Sequence, residues 1–351
     1  MQKPKDKKIL IITYYWPPSG GSGVQRWVKF AKYLKKFGWT PIVLTVDPNK
    51  ASYFQIDNSQ IGDVEGIETY YTNSIEPLNW LSKLIGKKNI PHSGFSNVEK
   101  STVTQKMLRF FRGNLYVVDL RKGWNKYAFK KAKEIIQIHD IKNVITTSPP
   151  HSTQLIGRDL KDEMNINWIA DLRDPWTDIF YYQDFMKLPF IAKKEKSIEN
   201  SVLQKADKVF TVSRHLQLSF RSQVSNPSKV YVVENGFDPT DEQVISNAEL
   251  TDVKLKGAFN IAYVGVIGEL YNIKSFIKAF KTVVEKNQYI HLTFIGHHSE
   301  AIVRVFKEFK LLQNVSFVPY LPKHELNNYY KQVDLALLVI PDSPNNEGII
   351  T

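Results

Sequence analysis

The chain has 351 residues and contains no cysteine. Without a thiol it cannot form a disulfide framework, a cysteine nucleophile or a thiolate metal site. Long apolar runs are also missing, because stretches such as residues 9–12 and 335–340 are far too short to cross a bilayer. The N-terminal sequence MQKPKDKK lacks the apolar segment of a signal peptide. These absences lead us to expect a cytoplasmic protein.

The signature motifs of several enzyme classes are absent as well. The sequence has no phosphate-binding P-loop, no HExxH zinc motif and no GxSxG nucleophile motif. No Asp-x-Asp pair occurs, which removes a common arrangement for holding a metal–diphosphate complex. His297 and His298 are adjacent, but no nearby carboxylate pattern completes a metal site. We therefore expect neither a metal nor a bound cofactor.

Positive charge is in excess, with 47 lysines and arginines against 35 acidic residues and a net charge of +12. The excess is local, because residues 83–133 carry 13 basic side chains and only two acidic ones, Glu99 and Asp119. Such a block suits a phosphate-rich partner, which could be nucleic acid, an anionic membrane surface or a charged substrate.

The dominant pattern is a short apolar strand followed by an amphipathic helix. Residues 8–15 predict a strand, residues 24–37 a helix with one apolar face, and residues 41–46 the next strand. Further strands are predicted at residues 143–147, 166–171, 208–212 and 229–233. Apolar strands that alternate with helices indicate an α/β fold whose parallel sheet is covered on both faces.

A second series of the same kind starts near residue 258 and contains four predicted strands separated by helices. The polar, weakly patterned residues 239–257 predict a linker, so we expect one domain over residues 1–238 and another over residues 258–351. The sequence stops in a predicted loop after the fourth strand. We therefore expect the second domain to be incomplete.

Ligands of open α/β sheets bind beyond the carboxyl ends of the strands, which makes the glycine loop after the first strand a candidate site. Gly20, Gly21 and Gly23 would let the backbone approach a ligand closely, although a simple flexible turn also explains them. A dinucleotide fingerprint completed by Asp47 is disfavoured, because Arg26 stands in place of the third glycine and the loop is long.

Two further loops of the first domain carry candidate residues. His151 follows a strand in TSPPHS, where a neutral imidazole could bond a sugar hydroxyl or serve as a structural side chain. The sequence DLRDPW concentrates Asp171, Arg173, Asp174 and Trp176 at another strand end. These four residues indicate recognition of a sugar or an acceptor, with an ion pair that only holds the turn as the alternative.

In the second domain, Gly265 and Gly268 flank a turn from strand to helix, and Lys274 lies in the helix that follows. A lysine near the positive end of a helix dipole could clamp a diphosphate, or it could be an ordinary surface lysine. Gly296 forms the next turn of the same kind, and Glu347 in the last loop could meet a sugar hydroxyl.

The order and spacing of these motifs resemble family 4 glycosyltransferases of the GT-B fold, in a bacterial branch that builds cell-surface polysaccharides. The motifs that carry the resemblance are YYWPPSGGSGVQRWVKFAKYLKKFGWTPIVLTVD, TSPPHS, WIADLRDPW, VVENGFD, YVGVIGELYNIKSF, FIGHHSE and FVPYLPKHELNNYYKQVDLALL. The resemblance implies two doubly wound, Rossmann-like domains that face a cleft. It also implies transfer of a sugar, with retention, from a nucleoside diphosphate-sugar to a saccharide acceptor that is often lipid-linked.

By the same resemblance, Gly20 and Gly21 would lie near the donor phosphate and sugar, while His151 would touch the transferred sugar. Gly265, Gly268 and Lys274 would hold the diphosphate. We also predict Asp171 as a second catalytic residue, and we expect Gly296 and Glu347 on the donor side and Arg173, Asp174 and Trp176 on the acceptor side.

The chain departs from many relatives in two respects. Val266 and Glu269 occupy the positions where those relatives place an arginine after the first glycine of the second domain. The relatives also continue past the final loop into a helix with a glutamate for the ribose. We therefore expect residues 1–351 to bind nucleotide weakly and to have little activity.

The basic block of the first domain would have a role in the glycosyltransferase that the resemblance implies. Residues 105–112 (QKMLRFFR) interleave Lys106, Arg109 and Arg112 with four apolar side chains, a composition that suits peripheral contact with the anionic inner face of a membrane. The alternative is a solvated helix whose apolar side belongs to the core.

Two other functions compete with glycosyl transfer. A non-catalytic protein that binds membranes or nucleic acid would explain the charge, but the sequence contains no recognisable nucleic-acid module, so we expect no nucleic-acid partner. A nucleotide-sugar epimerase would share the two-domain architecture.

Overall fold

The computed structural model describes residues 7–53, 55–76, 110, 113–179, 182–241, 255–268 and 271–340. These residues form two compact units, with the boundary between Gly236 and Phe237. Each unit contains one parallel sheet with its own apolar core. The domain limits drawn at residues 238 and 258 stay a prediction, because part of the linker lies outside the described residues.

The first unit is built on seven parallel strands in the order β3-β2-β1-β4-β5-β6-β7. The strands are β1 (Lys7–Ile12), β2 (Trp39–Val46), β3 (Glu68–Thr72), β4 (Asn143–Ser148), β5 (Asn167–Leu172), β6 (Lys208–Thr211) and β7 (Val230–Val232). The order reverses at β1, which is the doubly wound topology expected from the sequence. Leu10, Ile11 and Ile12 in β1 are completely buried, because both faces of the sheet are covered.

Helices cover this sheet. They are α1 (Ser22–Lys36), α2 (Asn125–His139), α3 (Thr153–Glu163), α4 (Pro189–Lys205) and α5 (Arg214–Arg221). The apolar face predicted for the first helix is confirmed, since Val24, Val28 and Ala31 in α1 are completely buried. Gly38 follows α1 with a φ of +75°, a left-handed conformation that glycine adopts without strain.

Sequence patterning missed β3, which lies at the edge of the sheet and has only exposed and half-buried residues. Without a continuous apolar run, such a strand gives no clear signal. β1 is also shorter than predicted, because the regular strand ends at Ile12. Just beyond it, the buried Tyr14 donates its hydroxyl to the carboxylate of Glu76, at 2.7 and 2.8 Å.

The second unit contains four parallel strands in the order β10-β9-β8-β11. The strands are β8 (Phe259–Val264), β9 (Ile290–Ile295), β10 (Val315–Val318) and β11 (Leu335–Ala336), and the helices are α6 (Lys274–Lys286), α7 (Glu300–Glu308) and α8 (Lys323–Tyr330). Ile277, Phe280, Phe294 and Phe306 form the centre of its core. The expected incompleteness of this unit stays a prediction. Across both units, none of the described helices has the length and apolar character needed to cross a membrane.

Candidate functional site

A buried polar cluster surrounds Asp171 at the carboxyl end of β5. Asp171 is completely buried, and its two carboxylate oxygens accept hydrogen bonds from the Arg26 guanidinium at 2.9 and 3.3 Å. The Trp27 indole N–H and the Thr147 hydroxyl donate to the same carboxylate, each at 2.8 Å. These bonds make Asp171 a contact point between α1, β4 and β5, and its catalytic role stays a prediction.

Arg26 connects this cluster to the chain segment that follows β7. Its guanidinium donates to the Val233 carbonyl at 2.9 Å, the Glu234 carbonyl at 3.2 Å and the Asn235 side-chain oxygen at 2.9 Å. Arg26 therefore ties α1, β5 and the last residues of the first unit together. From the sequence, Arg26 was noted only because it replaces the third glycine of a dinucleotide fingerprint. The signal that could have identified it is its position one turn into the helix that follows the glycine loop.

His151 lies just beyond β4, and its ring stacks on the indole of Trp176. The ring centroids are 4.9 Å apart and the planes are within 10° of parallel. Burial lowers the pKa of His151 to about 3, and the positive charges of Arg173 and Lys187 add to the effect. The imidazole is therefore neutral at physiological pH. Its Nδ1 atom is buried and has no hydrogen-bond partner among the described residues.

Glu195, a buried glutamate of α4, holds the indole of Trp176 in place. The indole N–H of Trp176 donates to Glu195 at 3.2 Å, and the Tyr182 hydroxyl donates to the same carboxylate at 2.8 Å. Lys187 forms an ion pair with Glu195. Trp176 is only 2% exposed and packs against His151, and its place on the acceptor side stays a prediction. Glu195 was not identified from the sequence.

The glycine loop lies beside the DLRDPW loop. Gly20 donates its N–H to the Gln55 carbonyl at 2.9 Å, and Gly21 precedes α1 with a φ of +95°. A Cβ atom at Gly23 would lie 3.4 Å from the Arg173 guanidinium, so Arg173 lies within van der Waals reach of the start of α1. The structure thus brings the glycine loop and Arg173 together at one edge of the sheet.

Arg173 also links its own loop to β4, because its Nε donates to the Ser148 carbonyl at 3.2 Å. Burial raises the pKa of the neighbouring Asp174, and the charge of Arg173 opposes that effect. The two residues therefore lie next to the strand end that leads to His151.

Asp119 holds the turn after His151 in place. Its carboxylate accepts the N–H of Ser152 at 2.7 Å and the hydroxyl of Ser152 at 2.8 Å. Asn125 donates its side-chain amide to the Ser152 carbonyl at 2.7 Å. Sequence reasoning noted Asp119 only as an acidic exception in a basic block, and no local pattern pointed to its partner.

In the second unit, two glycines pack backbone against backbone at the strand ends. Gly265 has a φ of +150° and Gly296 a φ of +127°. A Cβ atom at Gly296 would lie 2.2 Å from the Gly265 carbonyl oxygen, so only glycine fits there. The Gly268 carbonyl accepts the N–H of Tyr271 at 3.0 Å within the turn, and Lys274 begins α6 as an exposed side chain.

The remaining predicted residues lie outside the described residues. They are Glu347 on the donor side and Lys106, Arg109 and Arg112 in the basic block. Within the described ranges, no three histidine, aspartate or glutamate side chains come close enough together to hold a metal ion.

Comparison with known proteins relates both the second unit and the overall fold to glycosyltransferases. Residues 251–343 match the family model described as "Glycosyl transferases group 1". No curated protein sequence matches the chain. Among solved structures, the chain is similar to HepE of Anabaena in complex with UDP and glucose, with a TM-score of 0.52, 12% identity and coverage of 94% of this chain and 73% of the other.

Two further solved structures are similar to the chain to the same degree. Sucrose-phosphate synthase from Thermosynechococcus elongatus has a TM-score of 0.52 at 14% identity, with 94% of this chain and 74% of the other covered. A mutant of S. aureus TarM in complex with fondaparinux, α-GlcNAc-glycerol and UDP has a TM-score of 0.51 at 12% identity, with 94% and 80% covered. These similarities show the fold.

The two doubly wound parallel sheets and these neighbours define the class of the fold as that of the GT-B glycosyltransferases. Within it, the second unit of this chain carries a glycosyltransferase group 1 domain.

Proposed function

We propose that the protein is a glycosyltransferase that moves a hexosyl group from a nucleoside diphosphate-sugar to a saccharide acceptor. The match of residues 251–343 to the group 1 glycosyltransferase model carries this proposal, because it falls on the unit with the predicted donor residues. HepE with bound UDP and glucose and TarM with bound UDP and α-GlcNAc-glycerol support the choice of donor and acceptor.

The donor diphosphate would bind at the carboxyl ends of β8 and β9. The close backbone contact of Gly265 and Gly296 leaves no side chain there to block a ligand. Lys274 lies at the start of α6, where the helix dipole and the ammonium group both favour negative charge. Negative charge grows on the departing diphosphate during transfer, so donors fixed at this position would stabilise the transition state.

The transferred sugar would contact His151, whose neutral imidazole can donate one hydrogen bond and accept another. Trp176 and Glu195 fix the plane of the ring, while Asp171 and Arg26 hold the surrounding loops. The finer features of the proposal are retention of configuration, family 4 membership, a lipid-linked acceptor and a role in bacterial surface polysaccharide synthesis. The proposal includes no metal, since the sequence lacks an Asp-x-Asp pair.

The direct test is to incubate the protein with UDP-glucose, UDP-galactose, UDP-N-acetylglucosamine and GDP-mannose and to follow the anomeric NMR signals. Release of nucleoside diphosphate with transfer or hydrolysis of the sugar supports the proposal, and EDTA should not abolish it. Inversion at C2 of the sugar would instead indicate the epimerase. Because little activity is expected of residues 1–351, the assay uses high protein concentration and long incubation, and no reaction with any of the donors under these conditions would contradict both enzymes.

Lys274 offers a matched pair of variants for this assay. Lys274→Ala should lower the rate about tenfold or more, because a charged hydrogen bond to the diphosphate is lost. Lys286→Ala removes the same charge from an exposed lysine in the last turn of the same helix and should leave the rate unchanged. Equal rates for the two variants would remove Lys274 from the donor site.

A further inference from the structure

Arg173 is a half-buried basic side chain whose charge is not neutralised by any carboxylate that the structure describes. Its Nε atom donates to the Ser148 carbonyl at 3.2 Å, which orients the guanidinium. Both Nη atoms are left without a hydrogen-bond partner among the described residues. Arg26 differs in this respect, because it is paired with the buried Asp171. A guanidinium that is oriented but has no counter-ion is suited to bind an anion.

The Tyr15 hydroxyl is a second polar group at this place. Tyr15 follows β1 and is half-buried. Its ring and the Arg173 Nη2 atom approach the same point on α1, at 3.7 and 3.4 Å from the position that a Cβ atom of Gly23 would take. Among the described residues, the Thr13 hydroxyl donates to the Tyr15 carbonyl, whereas the Tyr15 hydroxyl makes no hydrogen bond. This hydroxyl is therefore available to a ligand.

Tyr15 is held in position by contacts to its ring. The Arg121 guanidinium lies 5.6 Å from the centroid of the ring, and the Tyr14 ring meets it edge to face at 5.2 Å. Burial raises the pKa of the Tyr15 hydroxyl, which therefore stays protonated at neutral pH. The hydroxyl is a hydrogen-bond donor on a fixed ring.

The carboxylates of this region do not take up the charge of Arg173. Two of them lie near enough to act on the tyrosine hydroxyl, and both are bonded within the protein. Asp119 accepts two hydrogen bonds from the turn after β4, and Glu76 accepts the hydroxyl of Tyr14. Burial raises the pKa of Asp174, which disfavours its ionised form. The charge of the guanidinium therefore remains available to a ligand.

We propose that Arg173 and the Tyr15 hydroxyl form a subsite for an anionic group of the saccharide acceptor, either a carboxylate or a phosphate. The two Nη atoms would bind two oxygens of that group, because a planar guanidinium matches the geometry of both anions. The tyrosine hydroxyl would donate a third hydrogen bond. The inference rests on the proposed function, since it names the chemical class of the acceptor.

The subsite lies beside the residue that would contact the transferred sugar. Ser148, which accepts the Arg173 bond, is three positions before His151 in the chain. Burial lowers the pKa of His151 and the charge of Arg173 adds to the effect, so the guanidinium is close to the imidazole. An anionic group bound by Arg173 would therefore hold its sugar ring near His151. A neutral saccharide would offer the guanidinium no counter-ion.

The test measures binding of small saccharides to the 351-residue chain in the absence of a donor, by ligand-observed NMR. Methyl glucuronide carries a carboxylate on the ring, and glucose 1-phosphate carries a phosphate at the reducing end, so the preferred probe identifies the source of the anion. Methyl glucoside is the neutral probe, and inorganic phosphate is the anion without a sugar. At least one anionic sugar should bind about tenfold or more tightly than methyl glucoside, because hydrogen bonds to a charged group are strong.

Two variants test the assigned residues. Arg173→Gln should lower the affinity for the anionic sugar about tenfold or more and leave the affinity for methyl glucoside unchanged. Tyr15→Phe keeps the ring and removes only the hydroxyl, so the affinity for the anionic sugar should fall about threefold or more. Circular dichroism of each variant establishes that it is folded.

The chain provides a matched control for each variant. Arg158 is a half-buried arginine of α3 that pairs with Asp159, and Tyr231 is an exposed tyrosine of β7. Arg158→Gln and Tyr231→Phe should both bind the anionic sugar as the wild type does. Equal effects of Arg173→Gln and Arg158→Gln would overturn the subsite.

Three results with the wild type would also overturn it. They are equal affinities for anionic and neutral sugars, inorganic phosphate binding as tightly as the anionic sugars, and displacement of the anionic sugar by UDP, which would assign it to the donor site. Donor turnover is measured separately, so the two proposals can fail independently. Turnover without a preference for anionic sugars contradicts the subsite alone, whereas the preference without any turnover contradicts the glycosyltransferase.

Discussion

Arg26 and Asp171 are 145 positions apart in the chain and form a buried ion pair, with 2.9 Å between the guanidinium nitrogen and the carboxylate oxygen. The pair joins the helix that follows the glycine loop to the strand that precedes the DLRDPW loop. Both loops are candidates for the active site, so their relative position depends on this contact. The contact also fixes the segment that ends the first unit, through the bonds of Arg26 to residues 233–235.

We predict that Arg26→Ala lowers the free energy of unfolding of the first unit by about 3–5 kcal/mol, because it leaves the Asp171 charge buried without its partner. Urea unfolding followed by tryptophan fluorescence measures this change. Arg158→Ala is the matched control, since Arg158 pairs with a partly exposed Asp159 and its loss should cost less than about 1 kcal/mol. If both variants lose a similarly small free energy of unfolding, the buried ion pair does not stabilise the first unit as predicted.

We predict that Gly157→Ala destabilises the first unit although alanine favours helices. A Cβ atom at Gly157 in α3 would lie 2.1 Å from the indole nitrogen of Trp168, which is completely buried in β5. Overpacking of this kind costs about 1–3 kcal/mol, more than the gain in helix propensity. Gly62→Ala is the control, because nothing lies within 4 Å of its Cβ position. Thermal unfolding should therefore separate the two variants.

We predict that His151 makes the protein less stable at acidic pH. The pKa of the folded imidazole is about 3, against 6.5 for the ordinary side chain. As the pH falls from 6.5 to about 3, the unfolded chain takes up a proton that the folded protein does not, so stability is lost across this range. At about pH 5 the loss from this group is roughly 2 kcal/mol.

The measurement is the change in unfolding free energy between about pH 7 and about pH 5, compared with His151→Gln. The variant should lose less stability than the wild type, because it has no imidazole to protonate. His297→Gln replaces an exposed histidine and should show the wild-type change. A titration of the His151 ring by NMR with a midpoint near 6.5 would show that the inferred depression is wrong.

We predict that Gly296→Ala disrupts the turns at the ends of β8 and β9. The new methyl group would overlap the Gly265 carbonyl oxygen, and the φ of +127° would strain any other residue. The cost should be about 1–3 kcal/mol in the second unit, together with loss of donor turnover. Gly236→Ala, where nothing lies within 4 Å of the Cβ position, should keep both stability and turnover. If Gly296→Ala has the same free energy of unfolding as the wild type, the two turns do not pack against each other as closely as the structure indicates.

The sequence predicted the regular part of the fold well, because its signal is local. The strands β1, β2, β4 and β5 are short, mostly buried segments with several aliphatic residues each, and the apolar face of α1 repeats at helical spacing. The glycines of the strand-end turns were also identifiable, and three of them, Gly21, Gly265 and Gly296, have backbone conformations that other residues rarely adopt. By contrast, the edge strand β3 lacks an apolar run and was missed.

The sequence by itself therefore determined two doubly wound sheets and the loops in which a site could form. Only the tertiary structure decided which side chains of those loops are supports and which remain available to a ligand. The Asp171 carboxylate is paired with the Arg26 guanidinium, and the Trp176 indole stacks on the His151 ring. These pairings bring together residues far apart in the chain, and no local pattern encodes them, because they depend on how the strands and helices pack.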